Sequence, residues 1–284
     1  MLGSWGICLR VILICEARCV ASFVTAQTKQ VFKGVITPLG IGLLAGLSSG
    51  LFGVGGGIIM VPLFVYILKL DQKRAHATSL AAVVPIALIG AWGYGTHGNV
   101  DFVAATYVLA GSILGAMYGA RMLQRIALPA IQILFATVLL LSGLRLLWSV
   151  APAHILHGWG SHLFLIAIGL LSGVISGLLG VGGGLLVVPA LIATVGLNSL
   201  EARGTSLAVI VGTALAGAVT HFRHGNVEHR VTWMSGLGGV PGAIAGVMVS
   251  HELSESLVVK ALALVIVLVA VQQLRSAQQG LATA

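Results

Sequence analysis

Charge is what this sequence lacks. Only 8% of its 284 residues are Asp, Glu, Lys or Arg, against about a quarter in a soluble domain, whose surface must face water. With 58% of residues hydrophobic and a mean hydropathy of +1.07, the chain cannot clothe a soluble surface; it reads as an integral membrane protein. Acids are scarcer than bases, 7 against 15, and none falls in the middle of an apolar segment. A relay of buried carboxylates is therefore not visible, and the coupling ion is left open. Aromatics make up 6% and no basic tract interleaves with them, so nucleic acid is not an expected partner. The cations sit in loops, as topology-setting charges do. Cys8, Cys15 and Cys19 all precede residue 20, with neither metal spacing nor a disulfide framework, so no metal and no cofactor is expected.

What the chain has instead is glycine, 39 residues of it. Residues 1–33 read as a leader or extension of uncertain status, with an apolar run too short to span a bilayer. Beyond them lie apolar segments at 35–52, 58–69, 77–96, 102–120 and 126–148, then at 161–179, 185–197, 204–221, 231–249 and 256–274. Helix is the only sensible assignment for them in lipid, where each segment must satisfy its own backbone. The expected fold is all-α, with about 8–10 apolar segments. It divides into membrane repeat 1 at 34–150, an external linker at 151–160, membrane repeat 2 at 161–275 and a cytoplasmic tail at 276–284.

The repeats align without a gap at an offset of 127, and 26 of the 56 positions from Gly46 to Asp101 are identical to Gly173–Glu228. "GLFGVGGGIIMVP" returns as "GLLGVGGGLLVVP", and "TSLA" and "HGNV" each occur twice. Gly111, Gly115 and Gly119 face Gly238, Gly242 and Gly246, a spacing that lets helix backbones approach closely. Each half holds an odd number of crossings, whether its first two segments both span or fold back as a hairpin. The second half is then expected to be inverted. Loop charges agree: Lys69, Lys73, Arg74, Arg121, Arg125, Arg223, Arg230 and Arg275 fall on one side, the cytoplasmic one, with the N-terminus. "THGNVD", "APAHILHGWGSH" and "SHELSE" carry no Lys or Arg and fall outside, with Trp92, Trp148 and Trp159 near that interface. Only Arg203 breaks the pattern. Arg145 and Lys260 lie close enough to segment ends to snorkel.

Three uses of the glycine cluster compete. A phosphate loop needs Gly-Lys-Ser/Thr or a flanking strand, and neither is present. An intramembrane hydrolase could use Ser48 in "GLSSG", but the repeat loses that serine and lacks the strand–turn–helix setting of the motif. A helix break is the third. Consecutive glycines unwind a helix, leaving N–H groups and the positive end of the next helix dipole facing a cavity. Such pairs at matching places in two inverted halves point to a transporter's substrate site. Tight packing of small residues is the competing structural use.

The duplicated "SGLFGVGGGIIMVP" and "SGLLGVGGGLLVVP", each followed by "TSLA" and "HGN", resemble the TauE/SafE sulfite exporter family over residues 34–275. The resemblance implies a secondary transporter, an exporter, of small sulfur-containing anions such as sulfite or organosulfonates, multi-pass in the bacterial cytoplasmic membrane and not an enzyme. An anion channel stays open as an alternative, as does a homodimer. The expected anion cradle is the backbone of Gly53, Gly55, Gly56 and Gly57 with Gly180, Gly182, Gly183 and Gly184. Ser49 and Ser176 either add hydroxyls or bond back to their own helices. Thr78, Ser79, Thr205 and Ser206 either cap a helix or face the cavity. Pro62 and Pro189 are expected to bend the half-helix after each break. In "HGN", Gly98 and Gly225 suit a helix end, with Asn99 and Asn226 capping the next helix. His76 and Arg203, repeat equivalents, read as charges near the two mouths.

Overall fold

The computed structural model describes residues 32–122, six helical positions between 133 and 144, and residues 159–282. Cys8, Cys15, Cys19, Arg125, Arg145, Trp148 and the 151–158 part of the expected linker lie outside the described residues. A π-helical turn at Phe32–Ile36 leads into α1 (Thr37–Phe52), followed by α2 (Gly57–Tyr66), α3 (Gln72–Gly95) and α4 (Phe102–Met122). The second half gives α5 (Trp159–Leu179), α6 (Gly184–Ala190, extended by a π-helical turn to Val195), α7 (Ser199–Arg223), α8 (His229–Glu252) and α9 (Glu255–Ala282). Among the described residues there is no strand, and seven helices are long and apolar enough to cross a membrane. The short α2 and α6 are not: ten residues rise only about 15 Å.

Two helices start earlier than their apolar segments. α3 begins at Gln72 because the Asp71 side chain accepts the Lys73 N–H. α7 begins at Ser199 because Asn198 and Glu201 form a capping box, which satisfies free N–H groups at a helix start. α4 corrects the reading of "HGNVD". Its cap is Asp101, whose Oδ1 accepts the N–H groups of Val103 and Ala104 at 2.9 and 3.0 Å, while the Asn99 amide lies against His251. Glu228 holds the matching place before α8 in the second half. The glycines of that turn, Gly98 at φ 72° and Gly225 at φ 69°, close α3 and α7 as expected.

The halves interlock through glycine. Gly42, Gly46 and Gly50 of α1 lie in turn against the backbone of Ser235, Gly239 and Ala243 in α8, so these helices run parallel. Gly111, Gly115 and Gly119 of α4 meet α5 at Ile166, Leu170 and Val174 in the same sense. Each half thus packs a helix of the glycine hairpin against the fourth helix of the other. At the centre, Gly90 of α3 meets Leu207 of α7, and Gly217 of α7 meets Leu80 of α3. These repeat counterparts therefore run antiparallel. A methyl on Gly115 or Gly242 would overlap a carbonyl oxygen, of Leu170 or Leu43 respectively. Alanine at either position should force two helices apart and lower thermal stability in detergent. An unchanged melting temperature in both variants would contradict this packing.

Candidate functional site

The chain reverses at each glycine cluster. After α1 ends at Phe52, a Cβ placed on Gly56 would lie 2.5 Å from Ala45 O, two turns back along the helix just completed. Likewise Gly183 returns beside Ser172 of α5, its Cβ position 3.1 Å from Ser172 O. α1–α2 and α5–α6 are therefore hairpins whose second arm starts partway down the first. The reversal uses glycine conformations: φ is 71°, 89° and 72° at Gly53, Gly55 and Gly56, and 66°, 87° and 79° at Gly180, Gly182 and Gly183. A side chain disfavours that region by roughly 1–2 kcal/mol.

The two clusters meet. A Cβ on Gly57 would sit 2.5 Å from Gly180 O, and one on Gly184 would sit 2.7 Å from Gly53 O. Val83 and Ile210, repeat equivalents, pack on Gly55 and Gly182. The N-terminal ends of α2 and α6 therefore lie beside each other. Gly53–Gly57 and Gly180–Gly184 are all buried.

Their donors are unusually idle. Among the described residues, no oxygen accepts the backbone N–H of Val54, Gly55, Gly56 or Gly57, nor that of Val181, Gly182, Gly183 or Gly184. The Ser49 and Ser176 hydroxyls are fully buried and also without a partner among the described residues. Ser176 Cβ lies 3.5 Å from the Cβ position of Gly183. A buried donor left unpaired costs about 1–3 kcal/mol, so these eight amides and two hydroxyls are candidates to meet an acceptor from outside the protein. With helix N-termini behind them, the donors favour negative charge.

The hydroxyl residues expected near the site hold the breaks in place. Ser79 donates to Gly180 O at 2.7 Å and Ser206 donates to Gly53 O at 2.9 Å, the same bond written once from each half. Thr205 accepts the Asp101 N–H at 2.9 Å and Thr78 accepts the Glu228 N–H at 3.0 Å. The threonines thus cap the fourth helix of the opposite half, and the serines clamp the opposite break. Pro62 and Pro189 fall inside α2 and α6. Ser48 donates to Ala45 O in its own helix, at 2.9 Å.

Sequence reasoning misplaced Arg203 and His76. Neither is a loop charge at a mouth: Arg203 is 1% exposed and His76 is 3% exposed. Arg203 donates to Leu51 O at 3.2 Å and to Ser250 Oγ at 2.6 Å, and to Ser199 Oγ. Its cation thus sits on the C-terminal carbonyls of α1, the negative end of that helix. Glu201, its apparent partner in the sequence, is engaged in the α7 capping box instead. The signal, a base at the same position of both halves two residues before "TS", was noted but read as charge at a mouth instead of a buried clamp.

A crevice of about 760 Å³ between α3, α7 and α8 is a poor candidate for an anion. Val84, Leu88, Leu215, Val219, Trp233 and Leu237 wall it, although Arg223 and His229 also border it. Such walls suit hydrocarbon chains.

The fold and the breaks define a multi-pass helical membrane protein built around a duplicated, donor-lined hairpin pair. The profile of the family described as "Sulfite exporter TauE/SafE" matches residues 7–146 and 165–283. The chain belongs to that family and is a membrane transporter. It is similar to a "Probable membrane transporter protein" of Xylella fastidiosa, 28% identical over 229 residues, covering 79% of this chain and 88% of that one. It is also similar to the "Probable membrane transporter protein YunE" of Bacillus subtilis, 26% identical, covering 82% of this chain and 94% of that one. A third relative, the "Probable membrane transporter protein MJ0441" of Methanocaldococcus jannaschii, is 25% identical, covering 64% of this chain and 70% of that one. No solved structure matches the chain.

Proposed function

We propose that the protein exports small sulfur-containing anions, sulfite or organosulfonates, by binding them between the two glycine breaks. The observation that carries this reading is the set of buried N–H and hydroxyl groups at Val54–Gly57, Val181–Gly184, Ser49 and Ser176 that no acceptor among the described residues engages. A sulfite or sulfonate group presents three oxygens on one centre. Convergent donors can meet them from both hairpins at once, without a cationic side chain at the point of contact. The family's description supports sulfite as the type of substrate. The two halves would lie inverted across the bilayer, a reading supported by the antiparallel run of α3 and α7 and by the loop charges. Alternating access would then move the halves about the fixed site.

Reporter fusions and transport test this together. Reporters at Gly98 and Gly225 should land on opposite sides of the membrane, the first outside. In vesicles, the purified protein should drive counterflow of labelled sulfite or sulfoacetate against a gradient, which a channel cannot do. Both reporters on one side, or equilibration without counterflow, would overturn the proposal.

A further inference from the structure

The two hairpins are clamped by different chemistry at Gly50 and its counterpart Gly177, and at carbonyls one register apart beyond them. In the first, Tyr94 donates to Gly50 O at 2.8 Å and Arg203 to Leu51 O at 3.2 Å. In the second, the counterpart of Tyr94 is His221, whose Nε2 lies 3.0 Å from Gly177 O. The counterpart of Arg203 is His76, whose Nδ1 lies 2.5 Å from Leu179 O. One helix end is thus held by a fixed cation and a phenol, the other by two imidazoles.

A carbonyl can only accept, so the His76 proton must reside on Nδ1. A neutral imidazole has no second proton. Nε2 is therefore a lone pair, buried and without a partner among the described residues. The His76 backbone borders the cradle: a Cβ on Gly180 would lie 2.7 Å from His76 Cα. The titratable groups facing His76 are His221 of α7 and Asp71 at the start of α3, and His221 in turn faces His224. Arg74 and Glu228, at the same end of α3, pair with each other at 3.9 Å and are exposed. The neighbouring part of α5, Gly169–Leu179, contains no ionisable side chain, and α1 and α2 contribute none but Tyr66. Nothing on these helices fixes a counter-charge beside Nε2.

We propose that His76 Nε2 is a proton-binding site coupled to the anion, so that each anion enters the cradle together with a proton taken from solution. This rests on the anion site proposed above. Protonation makes His76 an imidazolium with Nδ1–H still held by Leu179 O, and gives the second hairpin the charge that Arg203 supplies permanently to the first. Each hairpin then carries one positive charge, which favours the anion held between them. By linkage, whatever factor the proton adds to anion affinity, the anion adds to proton affinity. The protein is accordingly a proton-linked carrier with a single titrating clamp.

The experiment is calorimetry of sulfoacetate binding to the purified full-length protein, at one pH in two buffers of different ionisation enthalpy, repeated across neutral to alkaline pH. Sulfoacetate suits because its carboxyl group titrates far below neutrality, near about 4. The wild type should take up protons on binding, and its Kd should rise by up to about tenfold per pH unit on the alkaline side. His76→Gln and His76→Arg should take up none. His76→Arg should also hold its affinity at alkaline pH, because its charge persists. Equal proton uptake in the wild type and both variants would overturn the assignment to His76, as would a wild-type Kd that does not change with pH. Should both variants fail to fold, His221→Tyr, which installs the residue of the first hairpin, keeps the test open: it should retain proton uptake. Its loss would move the site to His221. Binding that is tight but independent of pH sinks the proton site and leaves the anion site standing. No binding of sulfoacetate, sulfite or thiosulfate at any pH sinks both.

Discussion

Gly183→Ala is expected to reduce sulfur-anion transport by about tenfold or more while leaving the protein folded. Two effects combine. The φ of 79° at Gly183 is one a side chain adopts at a penalty of roughly 1–2 kcal/mol, close to a factor of ten in an equilibrium. The new methyl also enters the cradle, 3.1 Å from Ser172 O and 3.5 Å from Ser176 Cβ. That contact is tight but no overlap, so the hairpin can keep its place while the donors lose their aim. Gly56→Ala is the harsher change. Its methyl would lie 2.5 Å from Ala45 O, a backbone atom that cannot step aside, so stability should fall together with transport. Uptake in reconstituted vesicles, beside size-exclusion profiles, separates the two. Normal uptake in Gly183→Ala would show that this loop does not need its glycine geometry.

Arg203→Met is expected to lower the melting temperature in detergent more than any substitution at an exposed cation. The guanidinium is buried and bridges Leu51 O, Ser250 and Ser199, tying α7 to the end of α1 and to α8. Methionine fills much of the volume but strands those acceptors. Hydrogen bonds from a charged group contribute about 1.5–3 kcal/mol each, so a loss of roughly 3 kcal/mol follows. For a chain of this size that is on the order of 5–10 °C. Arg223→Met, with its side chain at the exposed end of α7, is the control. Equal shifts for the two would remove Arg203 from the clamp.

The membrane class and the all-helical fold were legible because lipid leaves an apolar chain few choices, and the glycine duplication marked the breaks. Helix starts were less legible. The first turns of α3 and α7 are polar, since they carry their own caps at Asp71 and at Asn198 with Glu201, and a hydropathy window reads such turns as loop. The clamps were hidden for a different reason. Ser206 meets Gly53, and Arg203 meets Leu51, from about 150 residues away, and no local pattern encodes that pairing. Only comparing the halves could have suggested it, because a hydroxyl pair and a base recur at the same offset in both. For Thr78 and Thr205 the sequence left capping and cavity-facing roles equal; the fold engages both hydroxyls at helix starts.

The central claim is that one anion sits between the two breaks, and thermal shift measures it most directly. Sulfite, thiosulfate, taurine, sulfoacetate and sulfate are each added to the wild type, to Gly183→Ala and to a Ser49→Ala/Ser176→Ala double variant. A ligand that binds the folded state raises its apparent stability. At least one sulfur anion should stabilise the wild type, with that stabilisation largely lost in Gly183→Ala and reduced in the double serine variant. An anion that stabilises all three proteins equally would contradict the account and place the site elsewhere.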